Sequence, residues 1–447
     1  VSGFSIDIPG DVLIVVLIAS LLPIIFMAAL SWRLIMPITI AVDVVTVQFG
    51  LASSFSIYSY NVAPLDILIL GTLVAYCIRV SIIGRIGLTH LWWSGMAGLM
   101  LLALLRGISA NGLAAAIVSF RPDFYFIVAV LYMQSFRWEP RDIDHFALMW
   151  LIFAGALSGY ALLGWMDPSL SVSMQATGTA FYAVDDYLDW RVLPASSAIV
   201  IAQAGLMAVA LWVRSRQAGL LQLAAIPLML MVALLYHRSV WIAAAAGVAI
   251  LLVHRPRLLT RLSLPLLLVA FGLVLVWAFD SGLLTGAFQS AVSEPFRDNS
   301  TWGWRINNWL ITVPGTLSSG PVITMLGWGY GTLFENTQTG LSLANPHNAY
   351  VAFFLNTGLV GLAVLVVCLL LSLRRLWLDD FPPGRILDRF TALMLLAQLM
   401  VYYVAYSVGL EQGILIGVLA GLAARCGVAE DREPAEQPLP TMLEPSR

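Results

Sequence analysis

The sequence predicts an all-α protein, a polytopic transmembrane bundle of about 12–14 helices with one large external loop, and three observations predict it. Residues of the apolar set make up 60% of the chain, only 11% are charged, and the mean hydropathy is +0.89. Ordinary globular domains carry about 25% charged residues. Many windows run roughly 18 or more residues without a charge, the length an α-helix needs to cross about 30 Å of hydrocarbon. Runs such as 225-AIPLMLMVALLY-236 do not alternate, which excludes the short alternating strands of an outer-membrane barrel. The net charge of -2 offers no basic surface to nucleic acid, and no nucleic-acid partner is expected.

Taken in order, the apolar runs place spans at 12–31, 34–50, 64–79, 88–105, 122–136, 146–165, 196–213, 220–236, 240–253, 262–279, 349–372, 390–408 and 412–425. The stretch 107–121 reads three ways: as an extension of its neighbour, a re-entrant piece, or a span of its own. Cys77, Cys368 and Cys426 fall in or beside spans, so a disulfide framework is not expected. The N-terminus lacks the basic, apolar, small-residue pattern of a cleavable signal.

Orientation follows from arginine, because cytoplasmic loops are enriched in it. All 23 basic residues are arginine, and four loops hold two to four each: 137-RWEPRDIDH-145, 214-RSRQAG-219, 254-HRPRLLTR-261 and 374-RRLWLDDFPPGRILDR-389. The opposite loops, 51–64, 166–195, 237–239 and 280–346, hold few. The chain thus divides into N-terminal transmembrane helices over 1–279, a large periplasmic loop over 280–346, and C-terminal transmembrane helices over 347–427. An acidic, proline-rich tail over 428–447 is disordered by composition and cytoplasmic by topology.

Four residues on the outer face go against the charge trend. Arg191 follows the acidic run 185-DDYLDWR-191, Arg238 sits in the tight turn 236-YHRSVW-241, Arg305 lies in 301-TWGWRINNW-309, and His347 opens a span in 344-ANPHNAY-350. Each has a plain structural alternative. Arg191 could pair with Asp186 or Asp189, Arg238 could snorkel to headgroup phosphates, Arg305 could be a solvated loop charge, and His347 could cap a backbone group. Together they place three permanent cations and one imidazole at one membrane depth. Arginine presents a planar fork of donors suited to phosphate oxygens, and a lipid-linked diphosphate lies at headgroup level. No ATP is available outside the inner membrane, so a transfer there needs a donor carrying its own leaving group, and cations stabilise that departing charge.

Asn345 reads as an N-cap and Pro346 as the first helical residue, which sets His347 in the first helical turn. The helix dipole and neighbouring arginines disfavour imidazolium there, so a neutral histidine can take a proton from a sugar hydroxyl. In the same helix, 357-TGLVGL-362 supplies small residues for close packing. Trp302, Trp304, Trp309 and Trp328 make the long loop a sugar-binding surface or, alternatively, an aromatic belt at the headgroups.

Three stretches carry a family resemblance: 345-NPHNAYVAFFLNTGLVGL-362, 300-STWGWRINNWLITVPGTLSSGPVITMLGWGYG-331 and 237-HRSVWIA-243, with 190-WRVLPASSAI-199 a weaker fourth. They resemble the O-antigen ligase and polysaccharide polymerase family, whose members act on undecaprenyl-diphosphate glycans; His237 stands where the family usually has serine. The resemblance implies a glycosyltransferase of the C type, with inversion at the anomeric carbon, no metal and no cofactor. It implies His347 as the base and Arg238 and Arg305 as diphosphate ligands. Arg191, Asn348, Trp304, Trp309 and Tyr330 would complete the substrate-binding set. The implied partners are an undecaprenyl-diphosphate-linked glycan donor, a glycan or lipid-linked acceptor, membrane lipids, and other polysaccharide assembly and export proteins. The expected place is the bacterial inner membrane with the site facing the periplasm. Polymerase and ligase both fit, with polymerase of a surface or secreted polysaccharide preferred.

Two other classes compete. A flippase of lipid-linked sugars needs ionisable residues deep in several spans, and Asp43 alone is well within one. A helical peptidoglycan polymerase would depend on an external acid such as Asp186, Asp298 or Glu335, which the His-Asn pair argues against.

Overall fold

The computed structural model describes residues 21–49, 55–57, 60–83, 87–166, 192–214, 223–235, 237–254, 301–336, 341–343, 346–378 and 386–425. The expected span 262–279, Arg191, Asn345 and the tail 428–447 lie outside them. The architecture is all-α, as its composition requires, with two short antiparallel hairpins added: β1 (Phe55–Ile57) with β2 (Tyr60–Val62), and β3 (Phe334–Asn336) with β4 (Leu341–Leu343). Among the described residues, six helices are long and apolar enough to cross a membrane. The chain is a multi-pass membrane protein.

Helices α1 (Leu21–Leu30) and α2 (Trp32–Phe49) meet at Ser31, whose hydroxyl accepts the Arg33 amide. Leu21 and Ile24 lie against Gly71, midway along α3 (Pro64–Ile83). The Ala28 and Ala29 carbonyls accept from Tyr132 and from Arg79, near the far end of α3. The chain therefore runs toward that end in α1 and turns back in α2. Helix α3 shows why hydropathy alone identifies these elements: Leu65, Leu68, Ile69, Thr72 and Ala75 are buried, while Leu70, Val74 and Ile78 on the other side are equally apolar and exposed.

Helices α4 (Leu88–Asn111) and α5 (Leu113–Gln134) resolve the three-way reading of 107–121. Gly112, at φ 84°, closes α4 and opens α5, so the stretch is shared between two helix ends and forms no separate span. Helices α6 (Pro140–Met166), α7 (Ala195–Arg214), α8 (Ala225–Leu234) and α9 (Arg238–His254) follow. The Trp150 indole of α6 donates to Gln203 of α7, closing a polar pair inside the bundle.

The segment read as a large external loop is partly built into the bundle. It forms α10 (Thr301–Ser318) and α11 (Pro321–Leu326), then an extended strap over 327–331. Helices α12 (Ala349–Leu378), α13 (Arg389–Tyr402) and α14 (Leu410–Arg425) complete the chain. Helix α14 runs parallel to α5. Gly413, Gly417 and Gly421, one turn apart, bring its backbone against Phe126, against Ala129 and Val130, and against Gln134 and Trp138, where side chains would collide.

Helix α12 is broken. Gly358, at φ 72°, interrupts it, so 357-TGLVGL-362 is a break as well as a packing surface. The carbonyls of Leu355 and Asn356, released from the helical ladder, accept from the amides of Trp328 at 2.7 Å and Gly329 at 3.1 Å. A Cβ on Gly358 would stand 2.2 Å from the Met325 backbone, and one on Gly327 would stand 2.4 Å from Asn356. The strap and the break are therefore one joint. Irregular backbone at membrane depth survives where protein satisfies its polar groups, and here each supplies the other's partners.

The two ends of the bundle differ in charge. At one, Arg33 pairs with Asp142, Arg79 bonds Ser135 and stacks on Phe136, and Asp144 accepts the Ile386 amide. At the other, Asp66 pairs with Arg121, and α12 begins. Buried carboxyls exceed the one expected: Asp43 is hydrogen-bonded to Glu411 of α14, and Asp123 of α5 accepts from Tyr330. The spans drawn from the sequence had left the last two at or beyond a helix end.

Candidate active site at the head of helix α12

The helix expected to carry the histidine begins three residues later than the sequence suggested, at Ala349. Asn348 is the cap: its side-chain oxygen accepts the Val351 amide at 3.1 Å and its carbonyl accepts the Ala352 amide at 2.8 Å. His347 precedes the cap at φ 53°, the one non-glycine residue with positive φ among those described. Such backbone costs roughly 1–3 kcal/mol and persists only where surroundings enforce it. Asn-Pro misled because both Asn345 and Asn348 are good caps; the second, nearer the apolar run, does the capping.

Two neighbouring pieces enforce that conformation. The Trp309 indole of α10 donates to the Pro346 carbonyl at 2.8 Å. The Ala349 amide donates to the carbonyls of Tyr403 and Tyr406, at 2.9 and 3.0 Å, in the turn after α13. The Tyr350 hydroxyl adds a bond to the Met400 carbonyl at 2.9 Å, and its ring meets Tyr403 edge-on.

Arg305 enters this junction from α10. It is 8% exposed, donates to the Ala405 carbonyl at 3.0 Å, and lies 5.0 Å from the Tyr406 ring centroid. Among the described residues its Nε has no hydrogen-bond partner, and neither does the side-chain oxygen of Asn308, one helical turn on and 2% exposed. A buried guanidinium with such a donor and, among the described residues, no carboxylate in ion-pair contact suits an anion. The same cation acts on the histidine. Burial first, and the Arg305 charge second, lower His347 from 6.5 to about 4, so the imidazole is neutral at physiological pH.

The other expected residues are placed as follows. Arg238 heads α9, which packs along α13, the helix leading into the Tyr403–Tyr406 turn. His237, beside it, is buried and donates Nε2–H to the Leu193 carbonyl at 2.8 Å, tying the turn to the segment that follows Arg191. The departure from serine thus has a structural use. Trp304 lies on α10; Asn348 spends its side-chain oxygen on the cap. Tyr330 stands away from His347, in the strap, fully buried, with its hydroxyl donated to Asp123 at 2.9 Å and its ring edge-on to Phe120. It is a strut between the strap and α5, with no surface left for substrate.

The tyrosines of 402-YYVAY-406 were not foreseen. The expected span ran through them to 408, whereas α13 stops at Tyr402. Three tyrosines in five residues mark a helix end at an interface, and that density is the signal that would have found them.

Residues 223–366 match the family model described as O-antigen ligase. No curated protein matches the chain. The matched stretch contains Arg238, Arg305, Trp309, His347 and Asn348, and ends before the Tyr403–Tyr406 turn that completes the junction. Over residues 223–366, this multi-pass membrane protein is similar to the O-antigen ligase family.

Proposed function

We propose that the protein polymerises repeat units of a bacterial surface or secreted polysaccharide, using an undecaprenyl-diphosphate-linked glycan as donor, on the periplasmic face of the inner membrane. The observation that carries this reading is the pairing of a buried Arg305 guanidinium, with an unused donor, and a neutral His347 beside it. Arg305 and Arg238 bind the diphosphate. His347 takes the proton from the acceptor hydroxyl as its oxygen attacks the anomeric carbon. The glycosidic bond to the diphosphate breaks with its electron pair on the leaving phosphate oxygen, where the guanidinium stabilises it. A single displacement inverts the anomeric carbon. The guanidinium supplies the charge a metal would otherwise provide, so chelation should leave the rate unchanged. Trp304 and Trp309 of α10 are the proposed sugar-stacking residues, and Arg191 the proposed further contact to sugar or phosphate.

Purified protein with lipid-linked donor tests the assignment. His347→Ala should lower turnover about 10²–10⁴-fold, the range of a general base, with unchanged protein level. Near-normal product from that variant removes the histidine's role. Arg305→Lys keeps the charge and loses the fork, and should cost on the order of 10²-fold.

Ligation of a finished chain to a lipid acceptor is the second reading, favoured by the description of the matching family. Lipid-linked intermediates in a deletion strain separate the two. Single repeat units accumulate if a polymerase is lost, and long chains on the carrier accumulate if a ligase is lost.

A further inference from the structure

Between Thr301 and Leu326 the sequence holds one charge, Arg305, and α10 turns it inward. The buried stripe of α10 is polar: Arg305, Asn308, Thr312 and Thr316 recur at three- or four-residue spacing. Ile306, Leu310, Ile311 and Leu317 are exposed, and so are Val322 and Met325 of α11. A helix lying in water has the reverse arrangement.

The hydroxyls on this element are satisfied internally. Thr312 donates to the Asn308 carbonyl and Thr316 to the Thr312 carbonyl, both at 2.8 Å. Even the exposed Ser318 and Ser319 donate to the Gly315 carbonyl, at 2.9 and 2.6 Å. Hydroxyls in hydrocarbon must bond in this way, since no water is there to serve them.

Depth and continuity point to the same surroundings. The strap leaving α11 meets α12 at Gly358, about 14 Å along that helix. Arg106 of α4 holds the Leu326 carbonyl at 2.6 Å, and the turn of α4 just before it exposes Leu101, Leu102 and Leu105. The bare apolar face of α10 and α11 therefore continues the apolar exterior of a membrane-spanning helix.

We infer that α10 and α11 form a re-entrant element lying in the bilayer leaflet on the active-site side, with their apolar face against acyl chains. The polar stripe then faces the bundle from within the leaflet, where a membrane-bound substrate can reach Arg305 without leaving the lipid. The lipid contact itself does not depend on the proposed reaction.

Nitroxide labels at Leu310→Cys and Val322→Cys test it, in the cysteine-free full chain reconstituted in phosphatidylethanolamine–phosphatidylglycerol vesicles. Collisions with oxygen should exceed those with a water-soluble nickel chelate severalfold at both sites, as at a Leu101→Cys control. A preference for the chelate, matching a Glu139→Cys control, would show water on that face and overturn the inference. Suppression of both collisions would show a protein covering and overturn it equally. Two label sites keep the test usable if one variant fails to assemble.

Discussion

His347 combines a left-handed backbone, a neighbouring cation and an imidazole held near 4, and these have a joint consequence for pH. Because its value is lowered on folding, the neutral form persists down to about pH 4, and protonation sets in only below that. The acid limb of kcat/KM, which reports groups of the free enzyme, should therefore fall near pH 4, with no inflection around 6.5. An inflection near 6.5 would mean that another group, or a relaxed site, sets the rate. A base near 4 drives proton abstraction weakly, and the second cause of its depression shows how the donor corrects this. A diphosphate on Arg305 cancels the charge that disfavours imidazolium, so basicity rises when the donor is in place. Inorganic pyrophosphate should accordingly raise the His347 titration midpoint, followed by NMR of ¹³C-labelled histidine and assigned by loss in His347→Ala. An unchanged midpoint would separate the arginine from phosphate binding.

Among the elements, the joint between the broken α12 and the strap positions the site, because it fixes α10 and α11 to the same helix that His347 precedes. Gly358→Ala should loosen it. The substitution places a Cβ in left-handed backbone, costing roughly 1–2 kcal/mol, and drives it into the Met325 carbonyl. Thermal unfolding in detergent should shift down and the strap should become open to protease, while a Gly155→Ala control, with open space around its Cβ, should change neither. Equal behaviour of the two variants would argue against the joint. The sequence made the helix legible through its unbroken apolar run, yet hid the break, since glycine is common in membrane helices that stay intact. Arg305 and His347, which the structure brings together, stood out in the sequence because charge and imidazole at a membrane boundary are conspicuous. The Tyr403–Tyr406 turn was missed because hydropathy does not distinguish a tyrosine-rich turn from the end of a span. Helix α10 read as part of an external loop and not as a membrane element because its inward polar stripe lowers the average hydropathy that its outward face would raise.

For the whole molecule, the assignment of sides rests on arginine, and the structure makes it testable at two ends. Arg33, Arg79, Arg141 and Arg389 belong to elements that meet around Asp142, Asp144 and Ser135. The candidate active-site junction, with the Tyr403–Tyr406 turn, lies at the opposite end of α12 and α13 from Arg375 and Arg389. Few loops interrupt this division, so one residue at each end decides the orientation of the bundle. Glu139 and Val404 are exposed and sit in the turns after α5 and α13. In a cysteine-free background, Val404→Cys should react with a membrane-impermeant maleimide added to intact spheroplasts. Glu139→Cys should react only after permeabilisation. The reverse pattern would place His347 on the cytoplasmic side, where nucleotide-activated sugars are available, and would remove the reason for a lipid-diphosphate donor. Labelling of Val404 alone would leave the donor with the one leaving group that chemistry outside the inner membrane allows, the diphosphate it carries across.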